Sequence, residues 1–370
     1  MDPGHGTAVA EIQRLRDAAW EAIGTATVDG TERERHWTAW TTHCSLFPET
    51  SKRSAGASMD QLLTFAVAVR EGQYGLGAQV KVQSVQRALR HVAQRLVLDG
   101  HPDPLRSSPA QQSFDLPIAR LLKKYKDEDP PAEPKLAIPI STITAIATKY
   151  RWNPHLEAVA DLVIIAFFYL LRVGEYTTAS NKKAKRTIAL RDCDVRLWRK
   201  GQVIPHSAGR ACLLMADSAT ICIAHTKNGT KGAVVHHECG IGPICPVAAL
   251  ARRIANMQGG PTTGSLSLVY HPSGRVTRVS DRDIGIAVRW GATYDRLLTR
   301  GYTLQRISSH SLRAGGAMAM KLNEASDSTI MRVGRWTSLT YLTYIHSQIG
   351  SLTAGLAVKM STAFTFQNVG

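Results

Sequence analysis

The sequence lacks any hydrophobic run long enough to cross a membrane. Its most apolar segment, LVIIAFFYLL at 162–171, spans ten residues between Asp161 and Arg172, whereas a membrane-spanning helix needs about 20. The opening residues MDPGHGTAVAEIQRLRD hold no apolar signal-peptide core, so no membrane insertion is expected. Paired cysteines are also missing. The six cysteines are scattered without a C-x-x-C pair, which suits a reducing compartment better than a disulfide scaffold. Acidic residues are few, 29 against 45 Lys and Arg, giving a formal net charge of +16. With them goes any clear Asp/Glu cluster for magnesium, which disfavours two-metal phosphodiester chemistry. No internal repeat or low-complexity tract is present.

What is there is a chain of 370 residues, 44% hydrophobic and 20% charged, with ample length for a proper core and room for two domains. The excess positive charge favours a polyanionic partner, because each neutralised phosphate releases condensed counterions. Nucleic acid is the leading candidate, ahead of an anionic membrane.

Residues 1–125 read as helical. The segments 7–24, 31–47, 58–72, 81–100 and 113–125 each place apolar residues at intervals of three and four. Ser58 is the expected N-cap of the third, with Asp60 in its first turn. The stretch KDEDPPAEPKLAIP, 126–139, holds four of the sixteen prolines and reads as a linker. Residues 140–370 are mixed. A helix is expected from Ile140, and a second, apolar all round, from His155 to Tyr176. Strand-like runs follow at 187–198 and 219–238, the latter broken by the Asn-Gly of KNGTKG, a hairpin signal. Helices are expected again from Pro246 and over 280–300, 309–323, 326–334 and 338–349. The fold class is thus mainly α with a small antiparallel β-sheet: an all-helical N-terminal domain, then an α+β domain.

Four motifs carry chemistry. In YLLRVGEY, 169–176, Arg172 ends a run of core formers, where a guanidinium is costly unless an anion answers it. Glu175, one turn on, can hold it, leaving donors for a second anion. In SSHSLRAGGAMAM, 308–320, His310 and Arg313 share a helix face near a start that Ser308 or Ser309 would cap. Gly315 and Gly316 inside that helix cost about 1 kcal/mol each against alanine. Such a cost implies close approach of another helix or a ligand. HTKNGTKG carries Lys227 and Lys231 at a hairpin tip, solvated or brought into a cleft as a proton donor. GRWTSLTYLTYIH, 334–346, offers the Trp336 N–H and two tyrosines, Tyr341 and Tyr344, which would share one side of a helix. Arginines, a histidine, a lysine, an indole N–H and a tyrosine are what metal-free attack on a phosphodiester needs.

The order Arg172–Glu175, Lys227, His310-x-x-Arg313, Trp336, Tyr344 resembles the tyrosine recombinases, the phage-integrase-type site-specific recombinases, over most of 136–350. The HSLRAGGA, GRW and YLTYI blocks look most like Crypton-type mobile-element versions. The resemblance implies a helical core-binding domain at 1–125, a hinge at 126–139 and a catalytic domain at 140–370. It implies Arg172 and Arg313 as the catalytic arginine pair, with Glu175 orienting the first. His310 becomes the acid/base histidine, Lys227 the general acid with Lys231 as fallback, Trp336 a phosphate donor and Tyr344 the nucleophile. Tyr341 becomes a packing residue. The implied reaction forms a 3′-phosphotyrosine and frees a 5′-hydroxyl without metal, cofactor or ATP. Family members work as homotetramers on two DNA sites, with C-terminal segments docking between subunits. Residues 347–361 fit that segment or a last packing helix.

Other readings stay open beside it. His236, His237, Cys239 and Cys245 cluster in sequence, but their spacing matches no common zinc pattern, so no metal is expected. The run NKKAKR, with Lys182, Lys183, Lys185 and Arg186, suits DNA contact, a nuclear address in a eukaryotic host, or a solvated loop. Trp37 and Trp40 read as core of the helical domain. Two alternatives to a recombinase remain: a type IB topoisomerase of related chemistry, and a catalytically silent DNA-binding protein.

Overall fold

The computed structural model describes residues 14, 15, 18, 30–47, 57–75, 78–108, 110, 112–131, 133–177, 188–225, 231–240, 242–258, 260 and 264–344, the side chains at 30, 31, 225, 231 and 344 excepted. The chain divides into two compact units between residues 132 and 133. The helix expected at 7–24 falls almost wholly outside the described residues, as does everything after 344.

The first unit is built on α1 (Gly30–Cys44), α2 (Met59–Arg70), α3 (Val82–Leu98) and α4 (Leu116–Glu128). Ser58 starts α2 as expected: its hydroxyl accepts from the Gln61 amide, and the Gln61 side chain accepts from the Ser58 amide. α3 buries Val85, Ala88, Leu89, Val92, Ala93 and Leu96, one face at helical spacing. That face meets Leu62 and Phe65 of α2, Trp40 of α1 and Ile118 of α4. Trp40 is a core residue, its ring edge-on to Phe65 at 5.2 Å. Trp37 sits at the margin beneath the Arg95 guanidinium. Asp129 ties the ends together, accepting from the Val82 amide at 2.8 Å and from Arg70 at 2.5 Å.

The second unit opens with α5 (Ile140–Lys149) and α6 (Pro154–Phe168), the latter capped by Asn153. α6 is buried without interruption from Ala158 to Phe167, as its all-round apolar sequence requires. Its one buried carboxylate, Asp161, is held by Arg252 at 2.6 Å. The short α7 (Val173–Tyr176) follows, then the sheet: β1 (Val195–Arg199), β2 (Gln202–Ile204), the small α8 (Arg210–Leu213), β3 (Ser218–His225) and β4 (Lys231–Glu238). All pairings are antiparallel, in the order β2-β1-β3-β4. Val195, Leu197, Ile221, Ile223 and Val235 turn one face of the sheet into the core. α9 (Pro246–Met257) packs there as well, and a two-stranded ribbon, β5 (Leu268–Tyr270) and β6 (Val276–Arg278), leads to α10 (Asp281–Tyr294). α11 (His310–Leu322), α12 (Asp327–Gly334) and a 3-10 segment (Leu339–Tyr344) complete the described chain.

The mainly helical class with a small antiparallel sheet is therefore observed, with local corrections. The strand expected from 187 begins only at Val195, because Asp194 draws its carboxylate back to the Arg191 amide and forms a 3-10 turn. The helix expected over 280–300 ends at Tyr294, where Arg296 takes a left-handed backbone, φ 54°. The helix expected from 155 to 176 breaks before Arg172, for reasons that belong to the site.

Candidate active site

Helix α6 ends at Phe168 with Tyr169 as its C-cap, and the Leu171 amide bonds back to the Ala166 carbonyl at 3.0 Å. That six-to-one closure requires a left-handed residue between, a place glycine usually fills. Here it is Leu170, with φ 48°. A left-handed non-glycine costs about 1–2 kcal/mol, and burial offsets it: the Leu170 side chain is fully enclosed with Ala314, Ala317, Met318, Ile330 and Tyr341. The turn swings the Leu170 carbonyl out of the helix ladder and lets the chain restart at Arg172. Arg172 is consequently the N-cap of α7, not the end of α6.

α11 supplies His310 and Arg313 at i and i+3. The Ser308 hydroxyl accepts from the His310 amide at 3.2 Å and thereby holds the helix start. Gly315 and Gly316 explain themselves by position. A Cβ on Gly315 would strike the Ile138 backbone and the Phe167 ring, and one on Gly316 would strike the Phe167 carbonyl and Leu170. The close approach inferred from the sequence is thus α6 and the segment before α5. It brings Arg313 to the end of α6, where its Nη1 donates to the Leu170 carbonyl at 2.5 Å. Its Nη2 donates to the Gly334 carbonyl. Arg313 is 1% exposed.

α12 ends with a second closure of the same kind. The Trp336 amide bonds back to the Met331 carbonyl at 2.9 Å, and Arg335 occupies the left-handed position, φ 57°. The three residues of the GRW motif thereby take three jobs. Gly334 offers its carbonyl to Arg313 and has no room for a Cβ beneath the Trp336 ring. Trp336 lays its indole against the Arg313 guanidinium, 4.2 Å from ring centroid to the central carbon, a cation–π contact. Arg335 turns inward, with its Nη2 2.7 Å from the Glu175 carboxylate and 3.1 Å from the Leu170 carbonyl.

Glu175, fully buried, is the common acceptor. Its Oε1 takes Arg172 Nη1 at 3.2 Å, and its Oε2 takes the Arg172 amide at 2.8 Å and Arg335. The local Arg172–Glu175 pair expected from the sequence is present, as one arm of a larger network. A continuous chain runs Arg172, Glu175, Arg335, Leu170 carbonyl, Arg313. Among the described residues, Glu175 is the carboxylate paired with Arg172 and Arg335. Burial pushes the Arg335 guanidinium below its ordinary value, Glu175 opposes the shift, and the like charge of Arg172 adds to it. Arg172 keeps a fifth of its side chain exposed, with 20% accessibility, so a ligand can reach it. Such a cluster can stabilise a bound oxyanion.

Tyr341 is the packing member of the tyrosine pair. Its ring is fully buried, 5.7 Å from the Trp336 ring, and its hydroxyl donates to Asp327 at 2.5 Å, itself paired with Lys321. Burial, with the Asp327 hydrogen bond and charge, pushes the Tyr341 phenol up to about 12. The backbone around it is a 3-10 helix, not the α-helix expected over 338–349. Tyr344 ends that segment, and its side chain lies outside the described residues. Also outside them are Lys227, the run with Lys182, Lys183, Lys185 and Arg186, the side chain of Lys231, and 347–361. The strands flanking Lys227 form the expected hairpin arms, with His225 paired to Lys231.

The His/Cys cluster splits: His236 leaves it, whereas Cys239 and Cys245 stay within side-chain hydrogen-bond reach of each other. His237 turns inward to the Phe168 carbonyl at 2.9 Å, whereas its strand neighbour His236 faces the other way to Thr220. Cys239 bonds the Ala216 carbonyl, and Cys245 caps α9 through the Ala248 amide. Arg335 is the residue the sequence reading missed. The only sequence signal was a basic residue following Gly334 at a helix end, and nothing there says that it turns inward.

Neither a protein-family profile nor a curated protein matches the chain. Solved structures that resemble it include the Tn1549 transposon integrase in complex with transposon right end DNA, with TM-score 0.45 and 12% identity over 83% of this chain and 86% of that one. XerH site-specific recombinase bound to a palindromic difH substrate, a post-cleavage complex, gives 0.49 and 12% over 83% and 73%. XerA recombinase gives 0.36 and 12% over 90% and 98%.

Proposed function

We propose that this chain is a site-specific DNA recombinase that cuts and rejoins DNA strands through a 3′-phosphotyrosine on Tyr344. The observation that carries the reading is the buried chain from Arg172 through Glu175, Arg335 and the Leu170 carbonyl to Arg313, with His310 one turn before Arg313. Fixed guanidiniums in a low-dielectric site favour a phosphodiester, and favour its pentavalent transition state more, because that state carries extra negative charge.

In this mechanism the Tyr344 oxygen attacks phosphorus as the bond from phosphorus to the 5′ oxygen breaks. His310 takes the phenolic proton, and Lys227, or Lys231 in its place, protonates the departing 5′ oxygen. Arg172 and Arg313 neutralise the non-bridging oxygens, and the Trp336 N–H donates to one of them while its ring packs on Arg313. The phosphotyrosine keeps the energy of the broken bond, so a 5′-hydroxyl can reverse the step without metal, cofactor or ATP. Lys182, Lys183, Lys185 and Arg186 contact backbone phosphates. The helical first unit serves as the core-binding domain, and four subunits assemble on two DNA sites. Integration or excision of a mobile element, of Crypton type, is the biological role, in the nucleus if the host is eukaryotic.

Nicked suicide substrates made from the DNA flanking the gene test this. Trapping of a protease-sensitive protein–DNA band supports the reading, and its absence on every flanking sequence contradicts it. Relaxation of any supercoiled plasmid by a monomer would point instead to topoisomerase chemistry.

A further inference from the structure

Arg335 lies outside the seven-residue pattern that the family resemblance supplies, yet it holds the two ends of the charge network together. Two helices, α6 and α12, end in the same left-handed closure, each with a non-glycine residue in the left-handed place. The two strained residues meet directly, because Arg335 Nη2 donates to the Leu170 carbonyl. Strain of this kind persists where the surroundings over-determine it. The Arg335 side chain is 3% exposed and donates also to the Val333 carbonyl at 3.1 Å, with the Tyr169 carbonyl at 3.4 Å. A planar fork satisfies those acceptors together, and a lysine ammonium, a single point, does not.

Two acceptors matter for function. The Glu175 carboxylate is shared by Arg172 and Arg335, and the Leu170 carbonyl by Arg313 and Arg335. We infer that Arg335 is a positioning residue: by gripping Glu175 and the Leu170 carbonyl at once, it fixes Arg172 and Arg313 for one tetrahedral oxyanion. It acts through those two guanidiniums without touching DNA. This rests on the recombinase reading, and its test separates the two.

The test uses the full chain and nicked substrates carrying either the natural phosphodiester or a methylphosphonate, in which a methyl group replaces one charged oxygen at the cleaved position. Arg335→Met should slow adduct formation on the phosphodiester by about 100-fold, the size of losing one oxyanion donor. On the methylphosphonate, where less charge needs neutralising, the loss should shrink to under about tenfold. DNA affinity should change little. An equal loss on both substrates, as a merely structural role would give, overturns the inference. If Arg335→Met does not fold, Arg335→Lys gives the same comparison with charge retained. If the wild type forms no adduct on either substrate, the recombinase reading fails and calorimetric binding of tungstate, a tetrahedral oxyanion, decides Arg335. Tungstate binding by the wild type that Arg335→Met loses supports the inference. Equal binding by both, or none by either, overturns it.

Discussion

At the scale of single residues, the Tyr341 hydroxyl marks that residue as a packing tyrosine. Its bond to Asp327 anchors the 3-10 segment that ends at Tyr344. Tyr341→Phe keeps the ring and removes that bond, so it should cost about 1 kcal/mol of stability. The pH dependence has a definite sign. Burial first, then Asp327, raises the folded phenol to about 12, above the ordinary value near 10. Its contribution is therefore complete below about pH 10 and lost as pH rises toward 12. At the acidic end, the Asp327 carboxylate is held below its ordinary range by Lys321 and then Tyr341. That contribution is present at neutral pH and lost as pH falls through the lowered value. Urea denaturation of wild type and Tyr341→Phe at several pH values should show their difference fading at both extremes. A constant difference would exclude this assignment. Arg172, Glu175, His310 and Arg313 were legible because short spacings put them on shared turns. Arg335 was not, since its inward turn depends on a left-handed backbone and on acceptors about 160 residues away in sequence.

At the scale of elements, the contact of α6 with α11 places the arginines. Alanine is the better helix former by about 1 kcal/mol, yet Gly316→Ala would put a methyl group into the Phe167 carbonyl and Leu170. Overpacking wins, and a net loss of about 1–3 kcal/mol is expected. A lowered denaturation midpoint, with DNA cleavage falling further as Arg313 leaves the Leu170 carbonyl, checks this. A midpoint above wild type would show that the helices do not meet as described. Leu170→Gly weighs two effects in the same way. It relieves about 1 kcal/mol of left-handed strain but exposes a gap where a buried leucine contributed about 2–3 kcal/mol. The variant should be less stable, in contrast to the usual gain from glycine at such a position. Periodicity alone carries this helix on to Tyr176, because it does not show a break where the turn residue is itself a core leucine. The glycine pair signalled its close neighbour correctly.

At the scale of the whole molecule, the net charge of +16 makes any DNA complex sensitive to salt. If six to ten phosphates are neutralised, affinity should fall by about 10³–10⁵ between 50 and 200 mM salt. A flat salt response in a filter or fluorescence titration would contradict a phosphate-led interface. Composition points to a polyanionic partner, and apolar spacing made the helical class legible. The joining of the α6 and α12 ends through Arg335 was not legible, since its contacts to Glu175 and the Leu170 carbonyl span long sequence separations. The most direct test of the central claim is to trap the adduct, digest it with protease and nuclease, and locate the attached nucleotide by mass spectrometry. The account predicts a 3′-phosphonucleotide on Tyr344, absent in Tyr344→Phe and still formed in Tyr341→Phe. A nucleotide on Tyr341 or another residue, or no attached nucleotide, would contradict it.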